Sequence, residues 1–331
     1  MVSVCVAVYN KSEDELTRCF ESILSQTNRS FELIITDDGS LSEVAEFLDK
    51  YAISNNRRCE GGIHLVHYSN GGVWVARNRG QERALGDWII HVNADDYIHN
   101  RTLETALEAG EIYPDVDMVY WGLTVYNNPN QYRNFGGNRL YAEPTCERFF
   151  IRQELLLATP FCDVTCMVRR EKALLFDTDL VGAEFERQVR VIASCRAVYF
   201  VDKPLYHYIP NDNSISSTQV DLNWRIESLT DFRKALVNNG FKIVDEYLIS
   251  FAVFIVHYAG GSGSLVFNEI SKTVVREILC SVHLRELRLL NPKMMIISFL
   301  FRTGRFFLLD ILLRVAKTWR MIFKKRDKAR S

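Results

Sequence analysis

The first residues constrain the fold most strongly: Val2-Ser3-Val4-Cys5-Val6-Ala7-Val8 is a near-continuous apolar run ended by Tyr9-Asn10. A strand without polar alternation is buried on both faces, as in a parallel sheet covered by crossover helices. A helical pattern follows at once. Ser12 with Glu15 three residues on makes a capping-box pattern, and Leu16, Cys19, Phe20, Ile23 and Leu24 recur at helical spacing up to Gln26. Phe31 to Thr36 reads as a second strand, Leu41 to Tyr51 as a second helix and Ile63 to Tyr68 as a third strand. Gly71 to Gly80 opens a third helix that runs to Leu85, and Gly86 ends it before a strand from Trp88 to Val92. Strands alternating with helices at this spacing specify an α/β fold with a mostly parallel central sheet.

Farther on the pattern loosens. Arg101 to Gly110 reads as a helix, Asp117 to Val125 as a strand, and Tyr126 to Asn138, rich in Asn, Gly and Tyr, as a loop over the strand ends. Arg148 to Leu157 reads as helical, Asp163 to Arg169 as extended, and Phe185 to Ser194 as helical. A strand from Ala197 to Val201 precedes Pro204-Leu205-Tyr206-His207-Tyr208, and Trp224 to Asn238 and Val244 to Tyr258 are expected helices of a C-terminal part.

At 331 residues and 47% hydrophobic content the chain can bury a full core, as one large domain or two. Its net charge of −1 argues against a polybasic nucleic-acid binder. The charge is uneven. From Leu300 to Ser331 ten basic residues face Asp310 and Asp327, so this stretch carries +8 and the rest −9. The eight cysteines show no CxxC pair and no zinc spacing, which suits reduced thiols in a cytoplasmic setting. No secretory signal is expected at the start.

Two short acidic motifs sit at strand ends, Asp37-Asp38-Gly39-Ser40 and Asn93-Ala94-Asp95-Asp96. Either alone is as readily a turn, since Asp and Gly are common turn formers. Two of them in one βα pattern point further. Ligands of open α/β sheets bind beyond the carboxyl ends of the strands, and Mg²⁺ or Mn²⁺ bridging a diphosphate takes one or two protein carboxylates there.

With Val4 to Asn10, Gly71-Gly72 and Ala76-Arg77-Asn78-Arg79-Gly80, the two motifs stand in the order and spacing of glycosyltransferase family 2. The chain resembles these inverting sugar transferases of the GT-A fold strongly over residues 1–125 and traceably to residue 217. The resemblance implies a nucleotide-sugar donor, most often a UDP-sugar, and a divalent cation, Mn²⁺ or Mg²⁺. It places Val8, Tyr9 and Asn10 in the loop that contacts the nucleotide and Asp37 or Asp38 at the base. Arg77 falls near the diphosphate, Asn93 and Asp95 at the nucleotide sugar, and Asp95 and Asp96 at the metal. Asn93 stands where the family commonly has Asp, keeping an oxygen ligand without the charge.

Inversion also requires a general base for the acceptor hydroxyl. In many members that base is the Asp of a Glu-Asp pair at a helix start, followed by an aromatic and, six residues after the Asp, an Arg. The matching segment here, Gly182 to Arg190, keeps Phe185 and Arg190 but reads Ala183-Glu184, which implies Glu184 as the base with Glu186 as fallback. Tyr206 and His207 resemble a closing lid segment, with His207 the residue there to touch phosphate, or they pack the end of the sheet as aromatics commonly do, and Trp121 is a candidate acceptor platform or a core residue. The resemblance implies a transferase domain over residues 1–217, split into a donor half (1–125) and an acceptor half (126–217), and the residue pattern adds a helical part over 218–293 and a basic amphipathic tail over 294–331. The tail interleaves Phe307, Ile311, Leu312, Val315, Trp319 and Ile322 with Arg314, Lys317 and Arg320, a pattern suited to an anionic membrane surface or to a helix packed on the core with a solvated basic end. By analogy the acceptor is a saccharide or lipid-linked saccharide in lipopolysaccharide, O-antigen or capsule synthesis, at the inner face of the cytoplasmic membrane. A nucleotide-sugar-binding protein without activity and a membrane-docked scaffold are the alternatives.

Overall fold

The computed structural model describes residues 1–125, 128–133, 139–142, 162–180 and 183–210, with isolated positions between 227 and 239. The chain divides into two compact units, Met1–Phe149 with Ala158–Asp212, and Phe150–Leu157 with Asn213–Ser331. The expected helices over 148–157, 224–238 and 244–258, and the basic tail, lie outside the described residues.

The first unit begins with β1 (Val2–Val8), α1 (Glu13–Leu24), β2 (Phe31–Asp37), α2 (Ser42–Asn55), β3 (Ile63–His67), α3 (Val73–Glu82) and β4 (Trp88–Asn93). It continues with β5 (Tyr97–Ile98), α4 (Thr102–Ile112), β6 (Val116–Val125), β7 (Asn128–Arg133) and β8 (Arg139–Ala142). The last described elements are β9 (Cys166–Arg169), α5 (Ala183–Ser194) and β10 (Ala197–Tyr208). Strand order is β3-β2-β1-β4-β9-β6-β10-β5, with β7 on β6 and β8 on β10.

β1 explains why its sequence shows no alternation. Val2, Val4, Val6 and Val8 join the large core under α1, α2 and α4, while Cys5 meets Ile34, Ala84 and Ile89 on the other face. Both faces are covered, so both are apolar. The capping box of α1 forms as the sequence predicts: the Glu15 amide donates to Ser12 Oγ at 3.3 Å and the Ser12 amide to Glu15 Oε2 at 2.9 Å. Leu16, Cys19, Phe20, Ile23 and Leu24 are the buried face.

Three expectations change. The sheet is parallel only from β3 through β4 and between β6 and β10; β9, β7, β8 and β5 all pair antiparallel, so it is mixed. The polar stretch 126–138 contains β7, paired with β6 at Thr124 opposite Tyr132. Its strand character comes from the end of β6 beyond the three residues that β9 pairs, rather than from its own composition. The strand expected to end at Val201 continues to Tyr208 through register shifts around Pro204, where a residue without an N–H interrupts the ladder.

Parallel register fixes the site. Val8 lies opposite Asp37 and Ala7 opposite Asn93, so the β1, β2 and β4 ends, with both acidic motifs, share one edge.

Candidate functional site

At that edge the β1 loop is locked onto the first acidic motif. Asn10 takes a positive φ of 48°, a conformation Asn tolerates better than most residues. Its amide donates to Ser40 Oγ at 3.0 Å, and the Leu41 amide donates to its Oδ1 at 2.8 Å. Tyr9 stands 51% exposed beside this clasp, the large aromatic at the mouth.

Asp37 and Asp38 are both buried and both hold backbone. Asp37 accepts from the Ser40 amide at 3.0 Å and from His67 Nδ1 at 2.7 Å. Asp38 accepts from the amides of Gly71 and Gly72 at 2.9 and 2.8 Å, tying the Asp37–Ser40 turn to the start of α3. Asp38 Oδ1 also faces Arg79 Nη1 at 3.5 Å, and since a carboxylate offers about four acceptor positions, each of the two retains capacity for at least one more N–H. Gly39, which follows Asp38, has φ +79°, and a Cβ there would lie 2.7 Å from the Asn70 nitrogen.

The second motif splits into an inward and an outward half. Asp96 is 1% exposed. Its Oδ2 accepts from Tyr206 Oη at 2.6 Å and Asn93 Nδ2 at 3.0 Å, and its Oδ1 from the Ile209 amide at 2.8 Å. Burial pushes its carboxyl up to about 6, more than these donors lower it. Asp95 turns outward instead, with Lys11 Nζ 2.6 Å from its Oδ2 and Arg18 donating to its carbonyl oxygen at 2.8 Å.

Arg77 connects this strand end to α5. Its Nη2 donates to Asn93 Oδ1 at 2.7 Å and its Nη1 to Asp163 Oδ2 at 3.3 Å, while its guanidinium packs on Trp74 and Phe176. Asp163 is the centre of a buried network. Its Oδ1 accepts from Arg187, and from Gln188 Nε2 at 3.0 Å; Arg187 also donates to Gln81 Oε1 at 2.9 Å. The Asp163 amide donates to Glu184 Oε1 at 2.8 Å, fixing the Glu184 carboxylate in the first turn of α5. Burial raises the Glu184 carboxyl above its ordinary value, against the nearby Arg77 charge. Burial would also raise Asp163, but Arg187, His91 and Arg77 together hold it below the usual carboxylate range.

A model described as glycosyl transferase family 2 matches residues 3–176, more than half of the 331 residues. The chain belongs to glycosyl transferase family 2. Uncharacterized glycosyltransferase EpsJ of Bacillus subtilis (strain 168) is 29% identical over 231 residues, covering 65% of this chain and 63% of EpsJ. The chain thus spans less than two thirds of that relative's length. Glycosyltransferase GlyG of Streptococcus pneumoniae serotype 4 is 26% identical over 248 residues, 71% of this chain and 79% of GlyG. Among solved structures, S. aureus TarS 1–349 in complex with UDP-GlcNAc aligns with a TM-score of 0.67 at 18% identity, over 97% of this chain and 91% of that one. The mannosyltransferase PcManGT from Pyrobaculum calidifontis, in complex with GDP-Man and Mn²⁺, aligns with a TM-score of 0.54 at 14% identity, over 96% and 86%. These likenesses place this family 2 chain in the GT-A fold.

Several residues singled out from the sequence turn inward in this family 2 chain. Val8 is 1% exposed and its carbonyl accepts from the Asp38 amide, so it builds the sheet end rather than facing a ligand. Trp121 is fully buried in the β6 core, where no acceptor sugar can stack on it. Tyr206 and His207 are strand residues of β10, not a lid: Tyr206 is held by Asp96, and His207 stacks on Tyr97 at 4.4 Å and contacts Thr124 Oγ1 at 2.7 Å. Glu186 is tied to Arg190 at 2.5 Å and is not available as a fallback base. Residues missed by sequence reasoning are Asp163, Arg187, His91 and Lys11. Arg187 carried one signal: with Gln188 it lies one turn from Glu184, a polar cluster on a helix whose other buried residues are apolar.

Among the described residues no group of three His, Cys, Asp or Glu side chains is placed to hold a metal ion. The outward Asp95 carboxylate fits a different arrangement, a cation that arrives with a diphosphate and takes one carboxylate from the protein.

Proposed function

We propose that this chain transfers a single sugar from a nucleotide-diphosphate sugar to an acceptor hydroxyl with inversion at the anomeric carbon. The observation that carries the reading is the connected path from Asn93 through Arg77 and Asp163 to Glu184, which couples the donor-side strand end to a carboxylate at a helix start. Tyr9 and the Asn10 clasp form the nucleotide rim, with Asp37 and Asp38 beneath it, and Asp95 faces the diphosphate. Asp96 keeps a supporting role, since its oxygens already serve Tyr206, Asn93 and Ile209. Mn²⁺ or Mg²⁺ bound with the diphosphate supplies charge neutralisation of the leaving group.

Glu184 takes the proton as the acceptor O–H bond breaks; the acceptor oxygen bonds to the anomeric carbon and the bond to the diphosphate oxygen breaks. A carboxylate raised toward neutral pH by burial is a stronger base than one in water, and its hydrogen bond to the Asp163 amide orients it before the acceptor arrives. TarS with UDP-GlcNAc supports a UDP-sugar donor, and PcManGT with Mn²⁺ supports the cation. A saccharide or lipid-linked acceptor in surface-polysaccharide assembly is the class suggested by the resemblance, and the +8 C-terminal stretch suits the inner membrane face. No helix among the described residues is long and apolar enough to cross a membrane.

The test is turnover of a panel of UDP-, GDP- and dTDP-sugars with Mn²⁺, by donor hydrolysis and by transfer, on wild type and Glu184→Gln. The variant should lose about 10²–10⁴-fold in kcat, the usual worth of a general base, with UDP affinity unchanged. Turnover of none of the donors removes the enzyme reading, and intact turnover in Glu184→Gln removes the base assignment.

A further inference from the structure

At the donor-side edge the family motifs leave Lys11 and Arg18 unassigned, and of these Lys11 is the one on a side-chain carboxylate. Lys11 follows Asn10 in the β1 loop, and its Nζ lies 2.6 Å from Asp95 Oδ2 with the two side chains 25% and 17% exposed. The contact joins neighbouring strand ends, since β1 and β4 run parallel with Ala7 opposite Asn93. Its backbone is fixed on both sides, by the positive-φ clasp of Asn10 and by the Ser12 capping box. Only the four-carbon arm is free to move, from an anchored base.

Asp95 is the acidic group of this motif that stays open to a ligand. Asp96 is spent on Tyr206, Asn93 and Ile209, and Asn93 Oδ1 is held by Arg77. A divalent cation entering on Asp95 would meet the Lys11 ammonium at the same carboxylate, and the two like charges repel. The nucleoside diphosphate that leaves carries more negative charge than the sugar nucleotide, more than one divalent cation cancels, and a lysine ammonium is a flexible point charge suited to phosphate.

Resting on the donor-site reading above, we infer that Lys11 is a tethered cation that exchanges partners in the binding cycle. It neutralises Asp95 while the site is empty, and it moves to the diphosphate when a metal ion takes Asp95. Lys11 would then have two opposed effects: it weakens metal binding to the nucleotide-free protein, and it strengthens nucleotide binding, as the one cation offered to the diphosphate by this carboxylate pair when no metal is present and beside the metal when one is. A surface ion pair that only tidies charge has neither.

The full chain and its Lys11→Met and Lys11→Arg variants test this, with no turnover measured. Mn²⁺ binding without nucleotide is read by electron paramagnetic resonance, and UDP binding with EDTA or with Mn²⁺ by calorimetry. Lys11→Met should bind Mn²⁺ about fivefold more tightly, the effect of freeing one partner of a part-buried pair. Its UDP affinity in EDTA should fall about tenfold, for one charge-assisted hydrogen bond to phosphate. Lys11→Arg, which keeps the charge, should stay within a factor of about three of wild type in both. If either quantity in Lys11→Met stays within a factor of two of wild type, or Lys11→Met binds no Mn²⁺ without nucleotide, while wild type binds UDP, the exchange is refuted and the donor-site reading stands. If wild type binds UDP neither with Mn²⁺ nor in EDTA, the donor-site reading falls and this inference with it.

Discussion

Removing the Asp163 carboxylate should be among the most damaging single changes to this domain, and Asp163→Ala measures how far the site network depends on it. Three donors converge on the 2% exposed carboxylate: Arg77 Nη1, Arg187 and Gln188 Nε2. They do not lose equally. Arg77 keeps Asn93 Oδ1 and its packing on Trp74 and Phe176, so its share is small. Arg187, 1% exposed, keeps the Leu174 carbonyl and Gln81 but loses its only counter-charge within ion-pair distance among the described residues. Leaving a buried charge without its partner costs about 3–5 kcal/mol, a large part of the roughly 5–15 kcal/mol that stabilises a domain. Urea unfolding followed by circular dichroism reads the loss. Asp163→Asn keeps an acceptor oxygen and should lose less. Asp163→Ala combined with Arg187→Met should lose less than the two single changes added, with a coupling of at least about 1 kcal/mol. A loss under about 1 kcal/mol for Asp163→Ala, or strict additivity, would mean that Arg187 does not depend on Asp163, and the network argument would fail.

Acid sensitivity should trace to His91. Burial pushes its ring down to about 3, so it stays neutral in the folded chain while the unfolded chain takes up a proton below about pH 6.5. Stability is therefore full above that pH and falls toward pH 3, by about 1.5 kcal/mol between pH 6.5 and 5 from this residue alone. Urea titrations at both pH values should show that difference between wild type and His91→Gln; equal slopes would place a charged imidazole in the fold. Gly39→Ala forces a Cβ onto the Asn70 backbone at a φ of +79° and should cost about 1–3 kcal/mol together with UDP affinity, measured by thermal unfolding and calorimetry. Unchanged values in both would show that the Asp37–Ser40 turn does not set the rim.

The sequence made the parallel half of the sheet legible because burial on both faces leaves a direct mark, as in the unbroken apolar run of β1 and the capping box of α1. β7 and the far end of β10 left no such mark. β7 is polar in composition and becomes a strand by pairing with the end of β6, the strand before it, while the far end of β10 is placed by β6 and by β5, a partner distant in sequence. The motif Ala76-Arg77-Asn78-Arg79-Gly80 was legible as a unit, yet each side chain has its own task. Arg77 bridges Asn93 and Asp163, Asn78 clamps Phe176 through two hydrogen bonds of 2.9 and 2.8 Å, and Arg79 packs on Tyr68. Asp163 itself sits in a short turn before β9 with no motif around it, so nothing local signals that two arginines converge there.

The limit is sharpest at Asp95 and Asp96, neighbours that look interchangeable in a row of letters. The backbone turn after β4 points one inward and one outward, and the choice is fixed by the Tyr206 hydroxyl, 110 residues later, which donates to Asp96 Oδ2 at 2.6 Å. That buried contact raises the cost of turning Asp96 out, because Tyr206, Asn93 and the Ile209 amide would all lose an acceptor. Asp95 is left outward by elimination, where it needs a counter-charge, and Lys11 is within reach only because β1 and β4 end side by side. The chemistry expected at the motif thus rests on a strand from the far half of the domain holding one carboxylate out of the way of the other.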